Sequence, residues 1–222
     1  MNIARRNRER KLAALQGAAD PSLSARASNQ YDLMLMQMAE HRRRLKQVQS
    51  IQRKAEAKAK FLPDYQAYVD GVLASGSGRQ DDVLMTIMIW HIDAGQLDRA
   101  LTLAKYALEH DLQTPDRYDR KTACLIAEEV ADAAARAPES QPVAASTLLR
   151  AVAMTEEHDM FDQVRAKLNK AAGIALNNEG QPQEAIHYLK RALELDDRSG
   201  VKKLIEQIER QLRKEQTAQP AD

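Results

Sequence analysis

WHIDAGQLDRALTLAKYAL at residues 90–108 and ALNNEGQPQEAIHYLKRAL at residues 175–193 follow one pattern at a constant offset of 85. Gly95-Gln96 falls on Gly180-Gln181, Ala100-Leu101 on Ala185-Ile186, and Ala107-Leu108-Glu109 on Ala192-Leu193-Glu194. Each segment reads as helix, glycine turn, helix, and the small alanines let two antiparallel helices approach closely.

The rest of the chain extends this reading. Val83 to Trp90 is apolar on every side, which predicts a helix central to the body. After the turn at Gly95, the spacing of Leu97, Ala100, Leu101, Ala104 and Leu108 predicts a second helix packed antiparallel to it. Pro115-Asp116 opens a further expected helix with Ile126, Val130, Ala133, Ala134 and Ala137 on its buried side, and Pro138 to Pro142 interrupts the chain. The final helix carries Val201, Leu204, Ile205, Ile208 and Leu212 on one face. Only 8 Gly and 7 Pro punctuate a chain rich in Ala, Leu, Glu, Gln, Lys and Arg, and no alternating β-branched run is present. The fold class expected is all-α. The repeated hairpin resembles the tetratricopeptide type, although two copies fall short of the three that such stacks need, so intervening helices would have to cap them.

The N-terminal third has a different character. Asn2 to Gln16 is basic and weakly amphipathic, expected to be disordered when free. Asp20-Pro21-Ser22 is a helix start. From Tyr31 to Leu62 apolar residues recur every seven, interrupted by His41 and Gln52, which predicts one long helix of coiled-coil type. Self-association through Tyr31, Met34, Leu35, Met38, Leu45 and Val48 is one reading of that stripe, and a core helix of a single domain is the other. Pro63 ends the helix, and a short one follows with Tyr65, Val69, Val72 and Leu73 on one face, weakened by Gly71. Ala74-Ser75-Gly76-Ser77-Gly78 reads as a linker and possible hinge. The expected domains are 1–62 (basic arm and long helix, for DNA binding and oligomerisation), 63–137 (central helical domain), 138–215 (C-terminal hairpin domain) and 216–222 (disordered tail).

The formal net charge of +1 conceals an asymmetry. Residues 1–60 hold 14 Lys and Arg against 5 Asp and Glu, a net of +9, which leaves −8 for the remainder. A polyanion is drawn to the first part and repelled by the second. The candidate DNA-contacting residues are Arg5, Arg6, Arg8, Arg10, Lys11, Arg42, Arg43, Arg44, Lys46, Arg53 and Lys54. Arg42 to Lys46 are crowded with no acidic residue on the following turn, and Arg42 to Arg44, Lys46, Arg53, Lys54 and Lys58 read as solvated. The single Cys124 lies in an apolar helical pattern and reads as core in a reducing compartment. Neither a signal peptide nor a membrane span is expected.

The chemistry-bearing motifs are sparse. There is no phosphate-binding glycine loop, no paired cysteine zinc signature and no nucleophile elbow, which argues against an ATPase. A nuclease would need carboxylates converging on Mg²⁺. The candidates are Asp81, Asp82 and Asp93, the last with His91 nearby, and Glu128 and Glu129 with Asp132. Asp81 or Asp82 is equally a helix cap and the Glu128 group a solvated face. His41 and Trp90 read as packed residues.

Tyr31-Asp32-Leu33-Met34-Leu35, Glu40-His41-Arg42-Arg43-Arg44-Leu45-Lys46, Gln80-Asp81-Asp82-Val83-Leu84-Met85-Thr86, Trp90-His91-Ile92-Asp93-Ala94-Gly95, Pro115-Asp116-Arg117-Tyr118 and Ile126-Ala127-Glu128-Glu129 occur in order. Together they resemble the small terminase subunit family of temperate contractile-tailed phages, also called the terminase endonuclease subunit. The resemblance spans about Tyr31 to Arg213. It implies a protein of the host bacterial cytoplasm that binds double-stranded phage DNA at its cohesive-end site, partners the large ATP-hydrolysing subunit in cutting and packaging, and forms a homo-oligomeric ring. Mg²⁺ is implied only if the cutting is intrinsic to this chain.

Overall fold

Every regular element among the described residues is a helix, as composition predicts. The computed structural model describes residues 3–14, 21–115 and 120–218, with the side chains of all of these except 3, 5, 6, 21–27 and 215–218. The chain divides into two compact units, Met1–Thr122 and Ala123–Asp222.

In the first unit the order is α1 (Ile3–Ala14), α2 (Pro21–Lys46), α3 (Ile51–Phe61), one 3-10 turn (Leu62–Asp64), α4 (Gln66–Ser75), α5 (Asp82–Asp93) and α6 (Leu97–Glu109). α5 is the hub: every residue from Val83 to Trp90 is buried, and α2, α3, α4 and α6 all pack on it. Three polar contacts fasten neighbours to this apolar helix. The Arg42 guanidinium donates to Thr86 Oγ1 at 2.8 Å, Lys58 Nζ meets Asp93 at 2.5 Å, and the Asp82 backbone N–H donates to the Tyr31 hydroxyl at 3.4 Å.

Four expectations that concern residues 1–122 need correction. The stripe from Tyr31 to Leu62 is two helices, not one. α2 closes with the tight bonds Gln47 N to Arg44 O (3.1 Å) and Val48 N to Leu45 O (3.2 Å), and the Ser50 hydroxyl accepts from Arg53 N (3.3 Å) to start α3 afresh. Second, the basic segment forms α1 and docks on α4. Gly71 makes this possible, because a Cβ there would lie 2.3 Å from the Arg10 carbonyl oxygen and 2.7 Å from Ala13 Cβ. Third, the Gly/Ser segment is a tied connection inside one compact unit. Gly76 ends α4 in the left-handed conformation, and Gly78 N donates to the Tyr106 hydroxyl at 3.0 Å. Fourth, the helix expected from Pro115 begins at Thr122; Asp116, Arg117 and Tyr118 lie outside the described residues.

The second unit contains α7 (Thr122–Arg136, from Ala123 onward), α8 (Ala145–Thr155), α9 (Asp162–Asn178), α10 (Pro182–Leu195) and α11 (Lys202–Ala218). α8 packs on α9, α9 on α10 and α10 on α11. Cys124 is buried in α7, as expected of a core residue. Ile205 and Ile208 bury the apolar side of α11, which continues through residues 216–218 of the segment expected to be a tail; residues 219–222 lie outside the described residues.

The two hairpins have the same turn, bond for bond. Gly95 N donates to Ile92 O and Gln96 N to His91 O; Gly180 N donates to Asn177 O and Gln181 N to Leu176 O. Gly95 and Gly180 have φ of 72° and 77°, a conformation that disfavours any residue with a Cβ.

Candidate nucleic-acid interface

The cations of the first unit fall into two groups once their partners are known. One group is occupied by the fold. Arg42 turns inward to Thr86, and Lys58, expected in solvent, is held by Asp93 with less than a fifth of its side chain exposed. Arg43 and Arg44 share one carboxylate, Glu40, at 2.5 and 3.2 Å. Glu40, on the preceding turn, therefore offsets one of the two charges of Arg43 and Arg44, and the half-buried Arg42 is held by the neutral hydroxyl of Thr86.

Another group remains available. Arg8, Arg10 and Lys11 on α1, Lys46 at the end of α2, and Arg53 and Lys54 on α3 pair with no carboxylate among the described residues. Lys60, absent from the candidates drawn from sequence, belongs with them. All but the half-buried Lys54 are exposed. Unpaired exposed cations at this density are able to neutralise phosphates and release counterions. Arg8 and Lys11 also border a groove of about 710 Å³ between α1 and α2, lined in addition by the amides of Asn7, Asn29 and Gln30. The side chains of Arg5 and Arg6 lie outside the described residues.

The residues expected to mediate self-association split by burial. Met34, Met38 and Leu45 are buried within the first unit, while Tyr31, Leu35 and Val48 are half-buried. Leu33 and Met36 stand out instead, at 55% and 69% exposure.

Beneath α2 lies an aromatic cluster. His41 stacks on Phe61 with ring centroids 3.9 Å apart and planes 5° apart, Tyr65 meets both His41 and Trp90 edge-on, and Trp90 is core as expected. The Tyr65 hydroxyl is 2.8 Å from His41 Nδ1, with Asp64 4.0 Å from Nε2. Burial pushes the His41 imidazole below its ordinary pKa, against the attraction of Asp64, and pushes the Tyr65 phenol well above its own. A neutral His41 accepting from a protonated Tyr65 fits both shifts.

The carboxylates proposed for metal binding have other work. Asp81 is buried: one oxygen accepts from Leu84 N at 2.8 Å as the α5 cap, and the other accepts from the Tyr68 hydroxyl at 2.5 Å. Asp82 accepts from Gln80 at 3.0 Å, and Asp93 holds Lys58. Glu128 and Glu129 are half-buried on α7, in the second unit, and Asp132 pairs with Lys167. Among the described residues no group of three or more His, Cys, Asp or Glu side chains comes together at metal-binding spacing. No helix among them is long and apolar enough to cross a membrane.

A family model described as the phage small terminase subunit matches residues 35–163, and one described as the ribonuclease HII N-terminal domain matches residues 176–221. The chain is 38% identical over 211 residues to the terminase, endonuclease subunit of Escherichia phage P2, covering 95% of this chain and 85% of that protein. It is 27% identical over 163 residues to the probable terminase, endonuclease subunit of Haemophilus phage HP1, covering 66% of this chain and 57% of that protein. No solved structure matches it with significance.

Proposed function

Because the chain belongs to the phage small terminase subunit family, we propose that it recognises phage DNA at the cohesive-end site and brings it to the large ATPase subunit for cutting and packaging in the host cytoplasm. The observation that carries this reading is the set of cations on α1, α2 and α3 left without carboxylate partners, beside others that the same fold neutralises. Segment 1–62 is the DNA-binding and oligomerising part. Subunits associate into a ring through α2, where Leu33 and Met36 are exposed, and several DNA-binding faces in one ring add avidity. The tetratricopeptide-like hairpin of the second unit, α9–α10, together with α11 holds subunits together or docks the large subunit.

A second reading takes its support from the names of the two relatives, which are endonuclease subunits. In that reading this chain cuts DNA itself with Mg²⁺. Against it stand the structural duties of Asp81 and Asp93 described above. One experiment separates the two: the purified chain is incubated with Mg²⁺ and a cohesive-end duplex, with and without the large subunit and ATP. Recognition predicts selective binding by the chain alone and cutting only with the large subunit. Cutting by the chain alone would favour the second reading, and absence of any DNA binding would reject the first.

A further inference from the structure

Residues 46–53 form the corner between α2 and α3, and all of them except the half-buried Val48 are exposed. At its centre is Ile51, 76% exposed, more than Leu33, Met36 or Phe161, the other large apolar side chains that stand in solvent. An isolated exposed isoleucine needs no explanation on an ordinary surface. This one is bracketed in sequence by Lys46 on one side and by Arg53 and Lys54 on the other, none with a carboxylate partner among the described residues. Gln49 and Gln52 add two amide groups, the second held to Glu56 at 3.3 Å.

The mixture selects the partner. A purely electrostatic phosphate surface has no use for an aliphatic tip, and an apolar protein interface is depleted of unpaired lysine. Duplex DNA presents both chemistries within a few ångströms: phosphates for the cations, and the thymine methyl or an opened base step for an aliphatic side chain. We infer that Ile51 is the base-level contact of the α2–α3 corner: it enters a DNA groove while Lys46, Arg53 and Lys54 hold the flanking phosphates. This rests on the DNA-binding reading and adds to it the residue that touches bases. Cations of this kind supply affinity without sequence information, and a side chain inside the groove supplies discrimination.

The test measures affinity of the full chain for a cohesive-end duplex and for an unrelated duplex of equal length, for wild type, Ile51→Ser and Ile51→Val. Thermal melting confirms that the exposed substitutions leave the fold intact. The expected result is a loss of about tenfold for Ile51→Ser on the cohesive-end duplex alone, near-wild-type behaviour of Ile51→Val, and an unchanged salt dependence. Equal losses on both duplexes, or no loss on either, would overturn the inference while leaving DNA binding in place. Loss of binding to the large subunit with DNA affinity unaltered would also overturn it, by assigning Ile51 to a protein partner. A wild-type chain that binds neither duplex would remove the underlying reading together with the inference.

Discussion

A Cβ added to Gly71 of α4 would stand 2.3 Å from the Arg10 carbonyl oxygen of α1. The obstacle is backbone, which cannot swing aside as a side chain could, so the two helices must separate. Gly71→Ala is expected to cost about 1–3 kcal/mol in overpacking and to loosen α1. Trypsin cleavage within α1 reports the second effect and urea denaturation the first. DNA affinity should weaken too, because Arg8, Arg10 and Lys11 lose their fixed platform.

Asp81 makes a different prediction. Its two oxygens cap α5 and accept from Tyr68, so Asp81→Ala should destabilise the chain by about 1–3 kcal/mol. Asp81→Asn should cost less, since asparagine caps nearly as well. Denaturant unfolding measures both. With the large subunit present, Asp81→Asn should still support cutting; a stable Asp81→Asn protein whose complex cannot cut would make this carboxylate catalytic.

The pH dependence of stability follows from His41. Its folded-state pKa lies below the ordinary 6.5 because burial disfavours the imidazolium, so the unfolded chain takes up the proton first. The contribution is therefore complete above about pH 6.5 and is lost as pH falls from there toward the folded-state pKa. His91, lowered by burial as well, acts in the same direction. Melting temperature should drop between about pH 7.5 and about pH 5.5, and less steeply in His41→Gln. An unchanged slope in that variant would move the effect elsewhere.

What the sequence reveals depends on whether the deciding interaction is local. The hairpin turns are legible because Gly95 and Gly180 sit at left-handed positions that few other residues tolerate. α5 is legible because burial on all sides needs apolar residues on all sides. The break between α2 and α3 is hidden, since no glycine or proline marks Gln47 to Ser50 and the only local sign is the Ser50 cap. α8 has no cap of its own, with Ala144 at its start; Glu179, from the distant α9–α10 turn, accepts from Ala145 N at 2.7 Å. At the candidate site the abundance of positive charge is plain in the sequence. Which cations remain available is legible only in part: Glu40 stands three and four residues ahead of Arg43 and Arg44, the spacing of a helical ion pair, whereas Asp93 and Thr86 are distant in sequence from Lys58 and Arg42.

The division between occupied and available cations also ranks mutants. Glu40 offsets one of the two charges of Arg43 and Arg44, so Arg43→Gln with Arg44→Gln should weaken DNA binding less than Arg53→Gln with Lys54→Gln, whose charges no carboxylate among the described residues offsets. Side-by-side binding isotherms at one salt concentration check the order, and a reversed order would contradict it.

The most direct measurement is the salt dependence of duplex-DNA binding by wild type and by a variant with Lys46, Arg53, Lys54 and Lys60 all changed to glutamine. Each phosphate that the variant no longer neutralises should reduce the slope of log affinity against log salt by about 0.9, so the variant should be shallower by about two to four such steps, with its melting temperature retained. A well-folded variant whose slope and affinity match wild type would show that DNA does not bind this face.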